Sequence, residues 1–457
     1  MTLRTVSVSK EQAEQLLAKE EGHFFDAKAK EIRPAKLTKV LSALANADGG
    51  EVYVGFAEES RGKLRWDGFA RQEDANAHLQ VLEASFPLGT ELDYLFLQCP
   101  EFDGFVLQIT VAKSQAIKFA ADGRPYLRRG AQSLPVENAE ALRRLEYSKG
   151  VVSFEIEKTS ALADEITNST PIIDFMINVV PTAEPENWLQ KQQLIKEGHS
   201  TVAGVLLFSD EPQAVLPKRC GIKIYRYKTR EEASRDTLAF DPITIEGWSY
   251  RQIQEAVERT KEVIEEIPRL GAGTLEKISY PAETLHEIIT NAVLHRDYSI
   301  ADDVHIRIFD NRIEVQSPGK LPAHVTERNI LDERFSRNGI MVRMLNKFPN
   351  PPNKDVGEGL NTAFEAMTKL GLKPPAIKEL ESAVLVTIKH EPLASPEQAI
   401  LEYLQEHDWI KNADARSLTH IQQPHKINNI FREMEARGLI KRKEGSNTSG
   451  RAYTLPD

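Results

Sequence analysis

Leu285-His286-Glu287-Ile288-Ile289-Thr290-Asn291-Ala292-Val293-Leu294-His295-Arg296-Asp297-Tyr298-Ser299 is the run whose reading decides the fold of this chain. Leu285, Ile288, Ile289, Ala292 and Val293 recur at three-and-four spacing, which predicts a helix over 283–295 with one buried stripe. Glu283, Glu287 and Asn291 fall four residues apart on another face. Downstream, 304–309 and 312–316 read as strands joined across Asp310-Asn311 in a tight hairpin. Ser317-Pro318-Gly319-Lys320-Leu321-Pro322 then makes one glycine bend. Gly357-Glu358-Gly359 makes a second, opening a helix with Leu360, Ala363, Phe364 and Met367 as its apolar positions.

An acid and an amide one turn apart, followed by a hairpin and two glycine bends, have a definite chemical use. The amide oxygen of Asn291 would bind a magnesium ion bridging nucleotide phosphates, because magnesium takes hard oxygen ligands. Glu287 would orient the attacking water. The backbone amides of Gly357 and Gly359, at a helix start, would face phosphate oxygens. Gly319 would admit a base or ribose close to the backbone. The plainer alternative is a solvated helix face and ordinary turns, and for a lone acid–amide pair it is the better one. Four elements in the right order favour binding, though not turnover.

These two runs, 285–299 and 308–322, resemble the ATP-binding domain of bacterial and archaeal transcriptional regulators related to an ATP-dependent DNA helicase. That domain is similar to the Bergerat-type ATP fold of gyrase, heat-shock chaperones and histidine kinases. The resemblance spans about 90 residues, as a pattern of ordered elements. It implies an α/β sandwich, ATP and Mg2+ as cofactors, Glu287 as catalytic residue and Asn291 as metal ligand. Asn291, Asp297, Ser317, Gly319, Gly357 and Gly359 form the implied cofactor-binding set. Ser317 stands where the wider families carry the aspartate that binds the adenine amino group. His295-Arg296-Asp297 also mimics a kinase catalytic loop, but Asp302 occupies the position of its asparagine and no glycine-rich loop precedes it. No P-loop is present.

Upstream, Leu37, Val40, Leu41 and Leu44 predict a half-buried helix ending at Asn46-Ala47-Asp48-Gly49-Gly50, with a strand over 51–56 directly after it. Further strands are expected over 105–111 and 126–130. Glu20-Glu21-Gly22-His23-Phe24-Phe25-Asp26-Ala27-Lys28, the run 43–56 and Gly123 to Ala131 resemble the Schlafen-type AlbA domain, a nucleic-acid-binding module. In eukaryotic relatives the same fold carries an acidic triad that cleaves structured RNA. The resemblance matches Glu21 and Asp26 to the first two acids, and Glu58 or Glu59 lies where the third would sit. Three converging carboxylates would hold a metal that activates water; an exposed acidic edge is the plainer alternative. Lys28, Lys30, Arg124, Arg128 and Arg129 are candidates for phosphate contact, against an ordinary solvated surface.

Between the two, 172–180 and 252–267 read as helices, and 202–208 and 220–225 as buried strands, with no evident chemistry. After Ser395, three helices and two strands suggest a winged helix-turn-helix. From His425 to Asp457 seven Lys or Arg stand against four acids, a local +3 in a chain that is −10 overall. In that geometry Gln423, His425, Lys426, Asn428, Asn429 and Arg432 would enter the DNA major groove. Lys441, Lys443 and Arg451 would touch phosphates from the wing. Protein contact is the alternative use of such a tail.

The expected architecture is therefore α/β and multidomain: an AlbA-like module over 1–147, a connecting region over 148–270, a Bergerat-type domain over 271–390 and a winged helix over 395–457. The 457 residues suit that number of units. Two cysteines, Cys99 and Cys220, make no disulfide framework. With no apolar run of membrane-spanning length and no readable secretory signal, a cytoplasmic protein without membrane association is expected. The leading expectation is an ATP-binding regulator that contacts nucleic acid, DNA at its C-terminus and RNA or DNA at its N-terminus, as a homo-oligomer. An ATPase, an ATP-gated metal-dependent nuclease in anti-phage defence and an oligomeric scaffold are the alternatives.

Overall fold

The computed structural model describes residues 4–60, 63–85, 91–216, 219–270, 275–277, 280–333, 335–352, 359–370, 372–389, 396–419, 421, 423–443 and 451–456. The chain forms two compact units, 1–366 with 374–388, and 367–373 with 389–457. As expected, the fold is α/β, with several separate sheets. No helix among the described residues is long and apolar enough to cross a membrane.

The first unit opens on a five-stranded sheet in the order Thr5–Ser7, Leu92–Gln98, Phe105–Val111, Gly50–Val54, Phe25–Lys28. Phe25–Lys28 and Gly50–Val54 run parallel, so the chain must cross over between them, and helix Pro34–Asn46 is that crossover. Its Leu37, Leu41 and Leu44 are fully buried against Val52, Val54, Phe96 and Ile109, each leucine worth about 2 kcal/mol in removed apolar surface. The opposite face carries Phe25, Tyr53 and Val106, packed with Ala13, Phe56 and Trp66. The turn out of the helix requires glycine: Gly49 has φ +79, and a methyl there would lie 2.6 Å from the Val111 carbonyl oxygen.

A six-stranded sheet follows, ordered Ile243–Ile245, Ile222–Arg226, Val304–Ile308, Arg312–Pro318, Ala383–Lys389, Ala376–Glu379. Two of its strands come from the stretch expected only to connect. Ile222–Arg226 pairs in parallel with Val304–Ile308, so helices Ser249–Glu265 and Ala282–Leu294 lie between them as the crossover. The second sheet therefore begins about fifty residues before the boundary expected at 271. Residues 202–208 correct another expectation: Val202–Phe208 is a helix, not a strand. All seven residues are buried, so the run has no polar face and its period is invisible in sequence. The local signal is Thr201, whose Oγ1 accepts from the Gly204 amide and caps the helix.

The second unit contains helices Pro396–Glu406, Asn412–Thr419 and Pro424–Ala436. Its antiparallel sheet has the order Ile410–Lys411, Ala452–Thr454, Lys441–Arg442. Its core gathers Ile400, Leu404, Ile427, Phe431, Met434 and Tyr453, with the Phe431 and Tyr453 rings stacked at 4.4 Å.

Candidate functional site

Helix Ala282–Leu294 buries Leu285, Ile288, Ile289, Ala292 and Val293, as the spacing predicts. That burial turns its other face, Glu287 and Asn291, toward a hollow of about 400 Å3, a volume in the ordinary range for small-molecule sites. The Asn291 Nδ2 donates to Glu287 Oε1 at 2.8 Å. Burial pushes the Glu287 carboxyl up, against the pull of that hydrogen bond, so the carboxylate is a better proton acceptor than a surface glutamate. Val315, Ile377, Val384 and Val386 give the hollow an apolar floor from three strands of the six-stranded sheet.

Ser317 and Gly319 line the same hollow, with Leu360 and Asn361 from the first turn of helix Gly359–Lys369. Gly359 opens that helix, while Gly357 lies outside the described residues. Gly319 has φ +101, and a methyl there would sit 2.6 Å from Asp297 Cβ. Ser317 does not replace the expected aspartate, because its Oγ donates to the Ala292 carbonyl at 2.7 Å and ties strand to helix.

Asp297 is not among the residues lining this hollow. Its buried carboxylate accepts from Arg337 Nη1 at 2.7 Å and from the Ser299 amide at 2.9 Å. Its backbone N–H donates to the Pro318 carbonyl. Asp297 thus props the glycine bend from behind, and its charge is spent on Arg337 instead of a ligand.

Among the residues of the hollow that sequence reasoning missed are His295 and Ser336. His295 Nδ1 and Ser336 Oγ are buried without a hydrogen-bond partner, which leaves polar capacity in a lining otherwise rich in aliphatic side chains. The four-residue repeat Glu287, Asn291, His295 was the available signal. Burial, with the Arg337 guanidinium nearby, pushes the His295 imidazole down to about 4, so it is neutral at pH 7 and offers one donor and one acceptor. The donor set fits a magnesium nucleotide at two points: the Asn291 carboxamide for the metal, and unspent buried polar atoms for the organic part.

In the N-terminal sheet, Asp26 lies on the edge strand Phe25–Lys28, 1% exposed. It pairs with Arg128 Nη1 at 2.5 Å and with Lys28. Glu21 Oε1 accepts from Lys28 Nζ at 3.0 Å and from the Ala27 amide at 3.1 Å. Burial would raise the Glu21 carboxyl, but Lys28 holds it below its ordinary value. Glu58 stands on a separate hairpin, Phe56–Ser60 with Lys63–Trp66. Among the described residues no three acids, histidines or cysteines meet in a metal-holding group. Lys28 bridges Glu21 and Asp26, and Arg128 takes the other Asp26 oxygen.

Arg128 is likewise corrected as a phosphate contact. At 3% exposure it donates to the Gly22 and Phe25 carbonyls as well as to Asp26, pinning the hairpin Tyr126–Arg129/Gln132–Pro135 to the sheet edge. Arg124 and Arg129 are exposed, Arg124 beside Glu137 at 3.3 Å. Lys28 is engaged as described.

In the second unit, Lys426 and Arg432 are exposed on helix Pro424–Ala436, opposite buried Ile427, Phe431 and Met434. Asn428 is exposed on the same helix, its Oδ1 accepting from Asn412 Nδ2 at 2.8 Å. Lys441 begins strand Lys441–Arg442. Lys443 lies over the Trp409 ring at 5.7 Å, and Arg451 is exposed just before strand Ala452–Thr454.

Residues 19–137 match the family described as "Schlafen, AlbA_2". Residues 301–388 match the family described as "Putative ATP-dependent DNA helicase recG C-terminal". The crystal structure of the DIP2311 protein from Corynebacterium diphtheriae is similar over 98% of this chain and 96% of that one, at 18% identity and a TM-score of 0.43. No curated protein matches. The pairing of a Schlafen AlbA_2 domain with a RecG-type ATPase-like domain points to an ATP-binding, nucleic-acid-related function.

Proposed function

We propose that a chain joining these two domains is a regulator that binds a magnesium nucleotide in the hollow under helix Ala282–Leu294 and contacts nucleic acid through its other modules. The observation that carries this reading is the convergence of Glu287, Asn291 and the Gly319 bend on one hollow with an apolar floor. Asn291 would hold the magnesium, Glu287 would accept a proton from an ordered water, and the backbone at Gly319 would pass close to the base. The magnesium nucleotide would supply a compact negative charge whose differential binding selects between conformations.

The domain over 395–457 we read as a winged helix, because three helices and a small antiparallel sheet follow one another in its order. Lys426 and Arg432 on its third helix would enter the major groove, and Lys441, Lys443 and Arg451 on or beside its strands would meet phosphates. In the AlbA-like domain, Arg124 and Arg129 are the exposed cations that support contact with nucleic acid.

Calorimetry of the full chain with MgATP tests the nucleotide site. Asn291→Ala is expected to abolish the binding heat while leaving the fold intact by circular dichroism. Unchanged affinity in that variant would remove the site. A gel shift titrated with salt tests nucleic-acid contact, since phosphate neutralisation makes affinity fall steeply as salt rises.

A further inference from the structure

The wall of the hollow at Gly319-Lys320-Leu321 is not held by its own domain alone. Lys320 Nζ donates to Asp48 Oδ2 at 3.0 Å and lies 3.6 Å from Glu379 Oε1. Asp48 sits in the turn between helix Pro34–Asn46 and strand Gly50–Val54 of the N-terminal sheet. Its Oδ2 is also 2.8 Å from His23 Nε2, and its Oδ1 is 3.5 Å from Lys113 Nζ. Lys113, just past strand Phe105–Val111, donates to the Leu321 carbonyl at 2.9 Å. Glu379 accepts from the Leu321 amide at 2.9 Å and lies 3.5 Å from Lys113.

Two carboxylates and two ammonium groups therefore balance one another around Leu321, whose backbone N–H and C=O are both claimed. The Lys113, Asp48 and Glu379 side chains are only 7%, 15% and 14% exposed. This is a partly desolvated network, in which loss of one partner leaves a charge uncompensated, unlike an exposed pair of little worth. Burial would raise the Asp48 carboxyl, but Lys320, His23 and Lys113 hold it well below the usual carboxylate range.

The wall also has room to move. Gly319 and Lys320 border the nucleotide hollow on one side and a second hollow of about 560 Å3 on the other, so displacement need not compress a packed core. Beyond Asp48 the path is tight. A methyl on Gly50 would lie 2.6 Å from the Phe24 carbonyl oxygen, and the Glu51 amide donates to that same oxygen at 2.8 Å. Asp48, His23 and Gly50 thus bear directly on the segment that carries Glu21, Asp26 and Lys28.

We propose that the Asp48–Lys320 ion pair, braced by Lys113 and Glu379, is the contact through which an anionic nucleotide in the hollow alters the Glu21–Asp26–Lys28 edge of the N-terminal sheet. The inference rests on the nucleotide reading above. A nucleotide's negative charge draws the Lys320 ammonium away from Asp48, the turn at 46–50 relaxes, and strand Phe25–Lys28 follows. By linkage, whatever binds that edge changes nucleotide affinity by the same factor.

Hydrogen–deuterium exchange of the full chain, with and without saturating MgATP, is the test, with calorimetry run alongside. In the native sequence, amides over 22–28 and 46–54 are expected to change their exchange rate by about fivefold, the low end of ordinary coupling between sites. Asp48→Asn, which keeps the side-chain shape and lies outside the hollow, is expected to erase the change over 22–28 and to tighten MgATP binding by about the same fivefold, because Lys320 no longer has to leave a charged partner. Lys113→Gln is the second variant should Asp48→Asn fail to fold, with the same expected loss. A change over 22–28 that persists in the folded variant overturns the proposal, as does native protein that binds MgATP with no change there. Absence of any binding heat in the native protein overturns the nucleotide reading itself, a distinguishable result.

Discussion

Gly319 shows most sharply how one residue sets the site. Its φ of +101 and the 2.6 Å approach to Asp297 Cβ leave no place for a methyl group. Gly319→Ala is expected to cost about 1–3 kcal/mol in strain alone, read as a lowered urea midpoint, and to weaken MgATP binding because the bend shifts. A stability equal to the native protein's would mean that Asp297 yields easily. His295 yields a pH dependence. Its imidazole is pushed down to about 4 by burial and by Arg337, from an ordinary 6.5. The unfolded chain therefore takes the proton first as pH falls, and the folded state loses stability from about pH 6.5 down to about 4, at up to about 1.4 kcal/mol per unit. Urea melts across that window should be flatter in His295→Gln; an equally steep profile would assign the dependence to other groups. The motif residues Glu287, Asn291 and Gly319 were legible in sequence because each obeys a local spacing. Asp297 was misread because the Arg337 that claims it is forty residues away.

Among elements, the edge strand Phe25–Lys28 illustrates how a cation can be structural. Arg128→Ala would leave Asp26 buried with Lys28 as its remaining partner and free the hairpin Tyr126–Arg129/Gln132–Pro135 from the sheet. Removing one partner of such a pair is expected to cost about 3–5 kcal/mol, visible in thermal melts. A variant as stable as the native protein, with weaker nucleic-acid binding, would return Arg128 to the role first expected for it. Helix Ala282–Leu294 could be read from periodicity because its other face meets a hollow, and Pro34–Asn46 because its second buried face is polar, with Thr38, Ser42 and Asn46 hydrogen-bonded to the segment 118–126. Val202–Phe208 could not, because every side chain is buried and the run carries no period.

For the whole molecule, a net charge of −10 coexists with a local +3 in the last thirty-three residues. If that stretch contacts phosphates, the double change Lys443→Ala with Arg451→Ala should weaken binding alike for all sequences and lower the salt slope by about two, one per contact. An unchanged slope would turn attention to the N-terminal domain. The extent of the second sheet belongs to this scale as well. Ile222–Arg226 joins Val304–Ile308 across some eighty residues of chain, and a parallel pairing of that span leaves no local mark.

By itself the sequence determined the α/β class, the helix that carries Glu287 and Asn291, and the bend at Gly319, because helix period, hairpin turns and positive φ are properties of neighbouring residues. Only the tertiary structure decided where the charges go. Asp26 met Arg128, Asp297 met Arg337, and Lys320 met Asp48 across 272 residues. A buried charge is stable only with a partner, and that partner is chosen by packing, which local sequence does not encode.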